Sequence, residues 1–78
     1  MSAIVHTRSA QIEVAITGVD RDLGLAHGWK RNFRMGDRFG LPFAVYFRND
    51  EPVKVDGIGR PHPKLVLAAA SAAWRNGN

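Results

Sequence analysis

Phe43-Ala44-Val45-Tyr46-Phe47-Arg48-Asn49-Asp50-Glu51-Pro52-Val53-Lys54-Val55 is the stretch on which the fold turns. Its first six residues follow Pro42 and are rich in aromatics, as strands favour. Asn49, Asp50, Glu51 and Pro52 read as a turn, because Asn and Asp tolerate turn backbone angles and proline fixes its own. Val53-Lys54-Val55 then returns, which predicts a β-hairpin.

Toward the N-terminus, Gln11-Ile12-Glu13-Val14-Ala15-Ile16-Thr17 alternates, with Ile12, Val14 and Ile16 on one face. That pattern predicts a strand with one buried side, closed by Gly18. Residues 3–8 read as its partner, turning back through Ser9 and Ala10. Residues 19–40 admit two readings. Asp20 suits an N-cap and Gly28 the position after a helix, whereas Leu23 and Leu25 alternate around Gly24 as in a strand. Residues 29–39 mix basic and aromatic side chains with weak periodicity and read as a loop or brief helical turn.

Toward the C-terminus, Gly57-Ile58-Gly59-Arg60-Pro61 is a connector, and a helix is predicted from Pro63 to about Trp74. Proline is favoured at the first helical position, and the alanine run has high helix propensity. Leu67, Ala70 and Trp74 share one face, which Val66 and Ala73 widen. The expected architecture is α+β: a small antiparallel β-sheet of hairpins with the C-terminal helix packed on it, residues 1–78 forming one domain.

With 78 residues, 45% of them hydrophobic, the chain supports one modest core. It has no cysteine, so neither disulfides nor thiolate metal sites brace it, and a homodimer is compatible with so small a core. Residues 1–8 lack the apolar stretch of a secretory signal. Residues 65–74 would rise only about 15 Å as a helix, half of what a bilayer needs. The expectation is a cytoplasmic protein without a membrane partner.

Catalytic and cofactor chemistry find little support in the residue pattern. Ser2, Ser9 and Ser71 lie in no nucleophile-elbow context, and His6, His27 and His62 are scattered without metal-ligand spacing. Asp20, Asp22, Asp37, Asp50, Glu51 and Asp56 fall mostly in turns, where capping accounts for them. Gly57-Ile58-Gly59 is too short for a phosphate-binding fingerprint. The expectation is a non-enzymatic protein with no cofactor and no metal.

Charge points elsewhere. Eleven basic residues against seven acidic give a net charge of +4, and most of the basic ones are arginines, whose planar fork suits phosphates and carboxylates. They cluster in Trp29-Lys30-Arg31-Asn32-Phe33-Arg34-Met35-Gly36-Asp37-Arg38-Phe39. Basic groups neutralise phosphates while exposed aromatics stack on bases. The competing reading places Trp29, Phe33 and Phe39 in the core, with the charges simply solvated.

From Tyr46 to Trp74 the order is aromatic strand, turn, strand, Gly57-Ile58-Gly59-Arg60, proline and a helix ending in tryptophan. This resembles the C-terminal DNA-binding domain of the H-NS family of nucleoid proteins. The resemblance implies that Arg60 reads the minor groove and that Lys64 contacts phosphate. Val55 stands where that family has tryptophan, and Ile58 where it has a polar residue. A plain hairpin-to-helix connector is the alternative.

The sequence therefore predicts a small basic binding module that docks on nucleic acid or a nucleoprotein complex. Lys30, Arg31, Arg34, Arg38, Arg60 and Lys64 supply the charge, and Trp29 or Phe33 the contact anchors. The rival reading is a phage-type inhibitor, such as an anti-CRISPR protein, docking on an acidic surface of a host complex.

Overall fold

The computed structural model describes residues 5–8, 11–57 and 63–76. Five strands, β1 (Val5–Arg8), β2 (Ile12–Asp20), β3 (Leu25–Asn32), β4 (Leu41–Arg48) and β5 (Glu51–Gly57), precede one helix, α1 (Pro63–Asn76). The strands form a single antiparallel sheet in chain order, β1-β2-β3-β4-β5. The α+β architecture expected from the sequence is the one observed.

The undecided segment 19–40 resolves as strand over residues 19–20 and 25–32, with a tight turn between them and a loop after. β2 runs past Gly18 to Asp20, because the register slips between Ile16 and Gly18 and the extra residue bulges out. Such a bulge lets a strand continue while coiling more strongly. Asp20 caps no helix. Its carboxylate accepts from Leu23 N–H at 3.0 Å and holds the tight turn into β3. Gly28 ends no helix either, but lies mid-strand opposite Ile16 and Phe43. A Cβ at Gly28 would stand 1.9 Å from the Ala15 carbonyl oxygen and 2.9 Å from Ile16 Cα. The two backbones approach too closely here for any side chain. We therefore expect G28A to lower stability by about 1–3 kcal/mol through forced strand separation. An unchanged denaturation midpoint would contradict that close approach.

Other boundaries also tighten. The loop expected over residues 29–39 begins only at Phe33, since Trp29 to Asn32 belong to β3. The turn expected over residues 49–52 shrinks to Asn49 and Asp50, with φ of 52° and 66°, and β5 already starts at Glu51. Two consecutive left-handed residues match the twist of a two-residue hairpin. β5 is an edge strand, and Pro52, Lys54 and a bulge beside Tyr46/Phe47 discourage further pairing there.

α1 covers one face of the sheet. Val66, Ala69, Ala70 and Ala73 meet Ile12, Val14, Ile16, Ala26, Phe43 and Val45 in one buried cluster. Leu67 lies at the flank of this face and Ala69 near its centre, a small rotation from the predicted stripe. The alanines let the helix sit close, at the cost of a core whose largest fully buried side chains are Ile16, Val14, Val45 and Val66. Trp74 compensates at the end of α1. Its ring stacks on Phe47, with centroids 4.4 Å apart and an interplanar angle of 7°, while the Arg21 guanidinium lies 4.2 Å from its centroid on a cation–π contact. Its Nε1–H donates to Asp50 Oδ1 at 2.9 Å, and its carbonyl accepts from Arg21. One side chain thus ties the helix to both tight turns of the sheet.

Candidate functional site

Antiparallel pairing fixes which side chains share the face that α1 leaves open. Cross-strand partners point the same way, and alternate residues point oppositely. Arg8, Glu13 and Arg31 form one row, and His6, Ala15, Trp29 and Pro42 the next. Lys30 pairs with Val14 and Leu41 and therefore turns to the helix side. Lys30 is 5% exposed, so it does not belong to the surface cluster where the sequence reading put it.

Glu13 is the residue that sequence reasoning passed over. It lies at a polar position of β2 yet is only 6% exposed. Arg31 Nε and Nη2 both donate to its Oε1, Nε at 3.1 Å, while Oε2 meets His6 Nε2 at 2.8 Å. The Arg31 hydrogen bonds hold the Glu13 carboxyl below the usual glutamate range. His6 acts in the same direction, and burial opposes both. A depressed folded pKa stabilises the fold above the ordinary value, and that contribution is lost as pH falls through the lower folded one. We expect the stability gap between wild type and E13Q to be constant at neutral pH. It should narrow as pH falls below about 4.3, the ordinary glutamate value. Thermal melts at several pH values check this, and a gap independent of pH would contradict it.

The aromatic side chains of this face hold arginines. Arg31 lies 4.9 Å from the Phe33 ring centroid and 5.8 Å from that of Trp29, and Arg8 lies 5.5 Å from Phe33. The His6 and Trp29 centroids are 6.1 Å apart. A Cβ at Gly40 would stand 2.8 Å from the Trp29 ring, so the returning loop presses on that tryptophan and only glycine fits there. Trp29 and Phe33 are half-buried, neither core residues nor open platforms.

Residues 33–40 form a braced loop. Asn32 Oδ1 accepts from Met35 N–H at 3.3 Å and caps a 3-10 turn, Phe33–Met35. Asp37 Oδ2 accepts from Asn32 N–H at 2.9 Å, and Asp37 N–H donates to Asn32 O at 3.1 Å. Phe33 N–H donates to Gln11 O at 2.7 Å, and Arg31 Nη1 to Arg38 O at 3.3 Å. From this frame Arg34 and Arg38 project into solvent, as do Met35 at 76% and Phe39 at 78% exposure.

Comparison with protein-family models, curated proteins and solved structures finds no match to this chain. The site stands on its own geometry.

That geometry segregates charge along the strands. At the end bearing the tight turns, Arg21, Arg48, Lys54 and Arg75 are matched in number by Asp20, Asp22, Asp50 and Glu51. At the opposite end, where β1 and β3 finish and the braced loop begins, stand Arg8, Arg31, Arg34 and Arg38. Two carboxylates there, Glu13 and Asp37, are already engaged within the protein, while Asp56, exposed opposite Ala44 near the end of β5, lies between the two groups. Among the described residues no carboxylate pairs with Arg8, Arg34 or Arg38. Arg60 and its Gly-Ile-Gly-Arg loop beyond Gly57 lie outside the described residues. Lys64 is exposed on the first turn of α1, the element that covers the other face. No helix among the described residues is long and apolar enough to cross a membrane.

Proposed function

We propose that the loop end of the open sheet face is a nucleic-acid-binding surface, with Arg8, Arg34 and Arg38 taking phosphates. The observation that carries this reading is the charge segregation: the tight-turn end is balanced, and at the loop end Arg8, Arg34 and Arg38 have no carboxylate partner among the described residues. Arginine's fork fits phosphate oxygens, and neutralising phosphates releases condensed counterions. Arg31 plays a different part. Bound to Glu13 and lying over two rings, it positions the loop rather than meeting a ligand. The protein on this reading is a binding module, and its chemistry is electrostatic docking.

Amide chemical shifts test the location. Adding a mixed-sequence DNA oligonucleotide should perturb Arg8 and residues 31–40 and leave residues 21–24 and 49–51 unmoved. Perturbation centred on the tight turns, or none at all, would overturn the assignment.

A further inference from the structure

The described residues also indicate which form of nucleic acid the surface takes, an inference that rests on the reading just given. Three aromatic side chains lie at the loop end, and two of them are occupied. Phe33 has Arg8 and Arg31 against its ring, and Trp29 has His6, Arg31 and the backbone of Gly40 beside it. Phe39 alone presents an uncovered ring, 78% exposed, and it follows Arg38 directly on the braced loop. Leaving a phenylalanine in water forgoes the stabilisation its burial would give. Here it shares the loop with Arg34 and Arg38, which have no carboxylate partner among the described residues.

We propose that this surface binds single-stranded nucleic acid, an unpaired base stacking on Phe39 while Arg34, Arg38 and Arg8 hold the flanking phosphates. Any base offers a π-face, so this contact is indifferent to sequence, and Arg beside an aromatic is the pairing that single-strand sites use. Duplex DNA keeps its faces stacked internally and offers this ring only edges, unless the side chain wedges between base steps. An anionic lipid surface also attracts basic, apolar segments, but those insert a broad amphipathic face. This loop offers only Met35 and Phe39. Its hydrogen-bonded frame orders the backbone leading to Phe39 before binding, which reduces the ordering cost on association. Phe39 is a specificity-determining residue on this account.

The test is fluorescence anisotropy with a labelled oligothymidine strand, a duplex of equal length, and phosphatidylserine vesicles, using wild type, F39A and F39W. Phe39 is exposed, so both variants should fold. We expect the strand to bind more tightly than the duplex. F39A should weaken strand binding about 5- to 150-fold, the range of one lost base stack. Its salt dependence should stay unchanged, and F39W should restore affinity. If both nucleic acids bind and F39A loses nothing, or loses equally on duplex, the single-strand inference is wrong while the nucleic-acid reading stands. If neither binds at about 50 mM salt, where phosphate contacts are strong, both fall. Vesicle binding that requires Phe39, without oligonucleotide binding, would assign the loop to a membrane surface and overturn the proposal.

Discussion

Trp74→Ala is expected to lower stability by about 3–5 kcal/mol, the cost of deleting a large buried aromatic. At roughly 4–8 °C per kcal/mol for a domain of this size, the melting temperature should fall by at least about 12 °C. The effect is large because the remainder of the core is small. The fully buried residues of α1 other than Trp74 are Val66 and small alanines, Leu65 and Leu67 are only partly buried, and Trp74 alone bridges Phe47, Arg21 and Asp50. W74F separates the contributions. It keeps an aromatic ring against Phe47 and loses the bond to Asp50, which is worth about 1 kcal/mol. A W74A protein melting within about 3 °C of wild type, a shift worth less than 1 kcal/mol, would show that the helix is anchored elsewhere.

The second large effect concerns binding. Replacing Arg8, Arg34 and Arg38 together with alanine removes three proposed phosphate contacts. Each contact contributes about 0.7 to the salt slope on a single strand, so the slope should fall by about 2, and affinity near 100 mM salt by roughly 100-fold. R48A/K54A, at the charge-balanced end, should bind as wild type does. Equal losses in the two variants would mean that net charge rather than the loop end governs binding. Arg31 is left out of the triple variant on purpose. Its guanidinium satisfies Glu13, which is only 6% exposed, so R31A would leave a mostly buried carboxylate short of partners and confuse unfolding with lost contact.

How far the sequence could be read depended on what each residue's signal meant physically. Ile12, Val14 and Ile16 alternate because α1 covers one face of β2, and the hairpin around Asn49 and Asp50 follows from their left-handed backbone angles. Gly28 and Asp20 misdirect, since glycine and aspartate also mark helix ends. Here one permits close strand approach and the other holds a tight turn. The bulge that carries β2 past Gly18 is marked in the sequence only by that glycine, which serves equally well to end a strand.

The candidate site was legible as a segment and not as a surface. Trp29, Lys30 and Arg31 are adjacent in the chain, but strand pleating sends Lys30 to the helix side and its neighbours to the open face. Glu13 looked like an ordinary polar position of an amphipathic strand. Only the register, which sets it between Arg8 and Arg31, reveals an internal counter-charge. Phe39 was grouped with the other aromatics until packing showed that its ring alone is uncovered.

On the proposed function, Arg8, Arg34 and Arg38, which have no carboxylate partner among the described residues, bind nucleic acid. The most direct test is a mobility-shift titration of the wild-type protein with a DNA single strand of about 20 nucleotides, longer than the 4–16 that one small domain occupies, repeated from about 50 to 200 mM salt. We expect an affinity whose logarithm falls linearly with the logarithm of salt, with a slope of about 2 for three phosphates. Binding absent at the lowest salt, or present with no salt dependence, would contradict it.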